Sequence, residues 1–132
     1  MRSQSLVRET DRAVEITLSA LSAIVAVVKD AALLRSISFA LNTHGQPVEQ
    51  FNDWTTAAEA ISRAECVILD ACLPPADLTA GLRLADCGVK LVVLAEDDKN
   101  YGGLRREDIC VLSKPLNGPD IANAVSALRK NP

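Results

Sequence analysis

The sequence predicts an α/β fold in which a parallel sheet carries helices on both faces. Three observations predict it. Five short apolar runs, at 23–28, 48–52, 66–70, 89–95 and 109–112, alternate with stretches of helical periodicity or polar character, the pattern of successive βαβ units. The run at 23–28 is continuous rather than alternating, and 66–70 reads as another such run, as in strands buried on both faces. The chain of 132 residues is 48% apolar but only 3% aromatic, enough for one aliphatic core and one domain.

Taken in order, residues 1–12 are polar and of mixed charge and read as a loose arm. Residues 13–20 alternate Val14, Ile16, Leu18 and Ala20 with Glu15, Thr17 and Ser19, a period of two that suits a strand, with a short helix as the alternative. Residues 1–22 are thus an N-terminal extension and 23–132 the domain proper. The first buried strand, 23–28, precedes a helix at 31–42 with Leu33, Leu34, Ile37, Phe39, Ala40 and Leu41 at helical spacing, closed by His44-Gly45. His44, the one histidine, reads as a solvated loop residue. After the strand at 48–52, Asp53 or Thr55 is placed to cap a helix whose inner face is Ala57, Ala58, Ala60 and Ile61, with Trp54 packing its start. The strand 66–70 ends on a carboxylate. A short helix is expected at 77–86, stopped by Cys87-Gly88. The strand 89–95 is followed by a polar stretch with Gly102-Gly103, a weak helix at best. The fifth strand, 109–112, leads through Lys114-Pro115 to a last helix with Pro119 in its first turn.

Ligand chemistry in such sheets gathers at the carboxyl ends of the strands. There the chain places Lys29-Asp30, Asp70, Leu94-Ala95-Glu96 and Lys114-Pro115. With the runs Val27-Val28-Lys29-Asp30, Ile68-Leu69-Asp70-Ala71-Cys72-Leu73-Pro74 and Lys114-Pro115 before a final helix, the chain resembles the receiver domains of bacterial response regulators over 23–130. The resemblance implies a flavodoxin-like (CheY-like) five-stranded parallel sheet of order 2-1-3-4-5, from which this chain departs in having the helix 3 and helix 4 regions shortened. It also implies that Asp70 is the phospho-acceptor, working or vestigial, that Asp30 and Asp70 are metal ligands for Mg²⁺, that Lys114 contacts the phosphoryl group, and that the bond before Pro115 is cis.

The chain departs from that family in the same pocket. The family has a pair of acids after strand one, and here the first is Lys29; the Ser or Thr ending strand four is Leu94; the aromatic position in strand five is Val111. Two lysines then face two aspartates, so the pocket is balanced without a divalent cation, and Lys29 is expected to pair with Asp70 or Asp30. The expected function is an atypical single-domain receiver, not an enzyme, with impaired or absent phosphorylation switching. It would act through contact with a histidine kinase, a phosphotransfer protein or a second copy of itself, the length leaving no room for an output domain. A working phospho-acceptor at Asp70 is the first alternative.

The four cysteines supply the second. Cys66, Cys87 and Cys110 would lie at the amino edge of neighbouring strands and could hold an iron–sulfur cluster or zinc, although no Cys-x-x-Cys spacing accompanies them; filling small apolar sites is the plainer reading. Cys72 falls on the opposite edge. No cofactor is expected. Fourteen basic against seventeen acidic side chains give a net charge of −3, which with so few aromatics argues against nucleic-acid binding. The apolar stretch 16–28 is too short to span a membrane, and Arg2, Arg8 and Arg12 are balanced by Glu9, Asp11 and Glu15, unlike a signal peptide. A cytoplasmic protein with reduced thiols is expected.

Overall fold

Strands that are apolar on both sides need a layer of helices over each face, and the chain provides both. The computed structural model describes residues 23–96, 108–116 and 118–130. The extension 1–22, with the strand read at 13–20, and nearly all of the polar stretch after Ala95 lie outside the described residues. Within them the order is β1 (Ile24–Val27), α1 (Ala31–Thr43), β2 (Val48–Phe51), α2 (Trp54–Ile61), β3 (Cys66–Asp70), α3 (Pro75–Leu82), β4 (Lys90–Ala95), β5 (Ile109–Ser113) and α4 (Gly118–Lys130). The five strands form one parallel sheet in the order β2-β1-β3-β4-β5, as expected.

Side-chain alternation along the strands builds two cores. Ile24, Ala26 and Val28 with Cys66, Ile68, Val92 and Leu94 face α1 and α4. Val25, Val27, Val67, Leu69, Leu91 and Val93 face Ala57, Ala60 and Ile61 of α2 and the α3 side. Ile37 and Leu41 of α1 are buried, each worth about 2 kcal/mol by burial alone. Phe39 does not join them. It is 74% exposed, because five residues at 100° each carry it about 140° away from Leu34 around the helix.

The helix ends follow side-chain chemistry. Asp30 caps α1, its Oδ1 accepting from the Ala32 and Leu33 amides at 2.9 and 3.2 Å. His44 closes that helix, exposed, with Nδ1 2.8 Å from the Ala40 carbonyl oxygen. Of the two residues read as caps for α2, Asp53 does the work, accepting from the Thr56 amide at 2.9 Å, and Trp54 packs half-buried beneath it. The third helix begins two residues earlier than the apolar pattern implied, since Pro75 sits in its first turn with φ already fixed. It passes into a 3-10 turn over Arg83–Cys87, ended by Gly88 at φ +90°, a left-handed cap that favours glycine. Gly81 lets α3 lie against the sheet, since a Cβ there would stand 2.6 Å from a Leu69 methyl. The Lys114–Pro115 peptide is cis.

Candidate functional site

Parallel register brings the strand ends level and fixes what the pocket contains. Asp70 pairs with Leu94 across β3 and β4, and Leu94 with Leu112 across β4 and β5. The backbone amide of Lys114 donates to the Ala95 carbonyl at 2.8 Å, and that of Ala71 to the Leu94 carbonyl at 2.8 Å. The loops after β3 and β5 are thereby tied to the end of β4.

Asp70 is 2% exposed. Its Oδ1 accepts two hydrogen bonds, from Lys114 Nζ at 2.9 Å and from the Cys72 amide at 3.0 Å; among the described residues Oδ2 accepts none. A buried carboxylate persists only when so compensated. Lys114 keeps 15% of its side chain in solvent. Burial by itself lowers the pKa of this lysine, but the hydrogen bond and charge of Asp70, helped by Cys72 and Glu96, more than offset it and leave it above the usual value. Lys114 Nζ also lies 3.8 Å from Cys72 Sγ, a contact the sequence reading missed, although Cys72 stands only two residues past Asp70.

Asp30 and Lys114 line a common cavity of about 300 Å³ with Leu33, Ile37, Pro115 and Ile121. The expected Lys29 pairing is not what the structure shows. Lys29 is exposed and makes no ion pair among the described residues, and the cation on Asp70 is Lys114. Lys29 occupies the turn between the buried Val28 and the helix cap Asp30, where its ammonium stays hydrated and a second lysine would only be desolvated. Leu94 is fully buried among aliphatic neighbours, and Val111 is buried on the opposite face of the sheet.

The donor set falls short of a dedicated divalent-cation site. It offers two carboxylates, each with Oδ1 committed, one to a helix cap and one to a lysine. Among the described residues no three His, Cys, Asp or Glu side chains come together as a metal-binding group. Nor do the three thiols form such a group among the described residues. Cys66 is buried toward α1 and α4, its thiol pushed up to about 12 chiefly by burial. Cys110 is half-buried on that same side, whereas Cys87 is exposed at the end of the 3-10 turn, whose Leu84 and Ala85 pack on the other face. No described helix is long and apolar enough to cross a membrane.

No protein-family model and no curated protein matches the sequence. Solved structures do match. A response regulator receiver protein from Sinorhizobium medicae superposes with a TM-score of 0.67 at 21% identity, over 82% of this chain and 94% of its own. A receiver protein from Burkholderia phymatum gives 0.65 at 25% identity, over 80% and 92%. The chemotaxis response regulator CheY4 of Vibrio cholerae gives 0.65 at 17%, over 80% and 96%. With these superpositions and its own parallel sheet in the order β2-β1-β3-β4-β5, the chain has the response regulator receiver (CheY-like) fold.

Proposed function

We propose that this chain is a receiver module of two-component signal transduction that meets a histidine kinase or phosphotransfer protein, acts by protein–protein contact rather than catalysis, and switches poorly or not at all on phosphorylation. The observation that carries this reading is the divided pocket. Asp70 is held by Lys114 at 2.9 Å, while the β4 position level with it, Leu94, is aliphatic and buried.

The first half supports acceptance of a phosphoryl group. A carboxylate oxygen of Asp70 would form the new O–P bond as the bond from phosphorus to the donor nitrogen breaks, with Lys114 beside the oxygens that gather charge. The second half opposes a switch. In the receivers this chain resembles, a hydroxyl at the Leu94 position holds the transferred group, and a leucine has no such donor. With one oxygen of each carboxylate already engaged, affinity for Mg²⁺ is expected to be weak and no resident cofactor is proposed.

The test is phosphoryl uptake by the full chain from acetyl phosphate and from a phosphorylated kinase, read on phosphate-affinity gels. Amide NMR with beryllofluoride and Mg²⁺ completes it. Slow, substoichiometric uptake, abolished by Asp70→Asn, with β4 and β5 resonances unmoved, is expected. Stoichiometric Asp70-dependent uptake with large shifts along β4 and β5 would overturn the reading in favour of a working acceptor, which the Asp70–Lys114 pair favours when taken alone.

A further inference from the structure

The cavity of about 300 Å³ beside the acceptor pair has chemistry of its own. Much of its lining is aliphatic: Ile37 and Ile121 are buried, and Leu33 and Leu116 are half-buried beside them. Asp70 does not line it, but Asp30 and Lys114 do, one from the start of α1 and the other from the loop before α4. No ion pair joins these two charges to each other among the described residues. The helix cap engages Oδ1 of Asp30, and its second oxygen accepts nothing among the described residues. Lys114 gives one of its three N–H donors to Asp70. An acid and a base that border one apolar space without meeting leave room for a ligand that meets both.

We infer that this cavity binds a free α-amino acid with an aliphatic side chain. Its ammonium would lie against Asp30, its carboxylate against Lys114 and its side chain among Leu33, Ile37 and Ile121. The charges select the class. A simple anion is drawn to Lys114 but repelled by Asp30, and a simple cation meets the reverse, whereas a zwitterion is favoured at both ends. Gly118, the first residue of the 13-residue helix α4, lines the same space, and the positive end of that helix favours a carboxylate on the Lys114 side. The volume stands at the lower end of small-molecule sites, which suits one amino acid rather than a nucleotide. Among the described residues no aromatic ring lines it, so an aliphatic side chain is the better match. A ligand of so few atoms, held by partly solvated charges, is expected to dissociate at between about 0.1 and 1 mM. Because Lys114 also holds Asp70, an occupied cavity shares that cation. Binding would thus couple the concentration of an amino acid to the acceptor edge, whether or not Asp70 is ever phosphorylated.

Titration of the full, isotope-labelled chain with L-leucine, followed by amide NMR, tests this. Saturable shifts at Asp30, Leu33, Ile37 and Gly118 are expected. Isoamylamine, which lacks the carboxylate, isocaproate, which lacks the ammonium, and glycine, which lacks the side chain, should each bind at least about fivefold more weakly. Asp30→Asn keeps a capping side chain, and a dispersed spectrum verifies its fold. It should weaken leucine about fivefold and leave isocaproate no weaker than in wild type. None of these measurements involves phosphoryl transfer, so their failure is distinct from failure of the receiver reading. Absence of saturation by about 10 mM leucine, well above the expected dissociation constant, would overturn the inference. So would equal binding of the amine or the acid, or an Asp30→Asn variant that takes leucine as wild type does.

Discussion

The two arms of the pocket at the carboxyl edge of the sheet have been put to different uses. On the β3–β5 arm, Asp70 and Lys114 form a 2.9 Å ion pair in a nearly dry setting, with chemistry that only charged groups can perform. On the β1–β4 arm the corresponding positions are structural. Asp30 caps a helix, Lys29 is exposed in a turn, and Leu94 fills the aliphatic core. The difference teaches that one pocket can carry a buried ion pair on one side while the strand-end positions on the other serve a turn, a helix cap and the core. The buried pair is the part that cannot be removed easily, since a buried carboxylate without its cation is costly.

The largest expected effect breaks the retained arm. Lys114→Met should destabilise the protein by about 3 kcal/mol, because it leaves the Asp70 charge buried and uncompensated. Asp70→Asn should cost less, since Lys114 keeps access to water and can extend into it. Urea denaturation of the two variants measures the asymmetry; equal losses would mean that the pair is not held as buried as described. The pH dependence has a definite sign. Asp70 holds the Lys114 pKa above about 10.5. The pair's contribution is therefore fully present below that pH and is lost as pH rises through the higher folded value. The stability difference between wild type and Lys114→Met should be flat from about pH 6 to 9 and shrink above about pH 10.5.

Leu94→Thr probes the other arm. Shortening a fully buried leucine and adding a hydroxyl to an aliphatic setting should cost about 2 to 3 kcal/mol. If the missing hydroxyl is what disables phosphoryl handling, the same change should increase beryllofluoride-induced shifts at β4 by NMR despite the lower stability. A variant that is destabilised but no more responsive would place the defect at Lys29 instead.

How much of this was legible from sequence depended on whether a residue's role is set locally. β1, β3 and β4 were legible because buried parallel strands are uninterrupted apolar runs, and Asp70 and Lys114 because each directly follows or ends one. The start of α3 was not, since its pattern is weak and Pro75 sets it. Phe39 fell near enough to the helical stripe to be taken as core, and only its angle around the helix moves it outside. Cys87 was grouped with Cys66 by closeness to strand starts, but it lies exposed at the end of the 3-10 turn, and the three thiols form no metal-binding group among the described residues. Lys29 was the hardest. Its identity alters the charge of the pocket, yet whether its ammonium turns inward is settled by the Val28–Asp30 turn and by competition with Lys114, neither of which is a property of the residue.

That ambiguity gives the smallest effect on stability and a sharp test of the comparison. Lys29→Asp, at an exposed turn position, should change folding stability by less than about 0.5 kcal/mol in metal-free buffer. It nevertheless moves the local charge by two units and supplies a third carboxylate beside Asp30, a further anionic oxygen donor of the kind a hard divalent cation takes. Mg²⁺ should then stabilise the variant and leave wild type almost unchanged. For a dissociation constant of about 1 mM, about 10 mM Mg²⁺ adds roughly 1.4 kcal/mol through linkage, visible as a shift of the urea midpoint and absent with an equal ionic strength of NaCl. Wild type gaining as much would mean that Asp30 and Asp70 hold the cation without a third acid, and that the β1–β4 arm has kept its chemistry. A gain confined to the variant would instead locate the loss of the metal site in one substituted side chain.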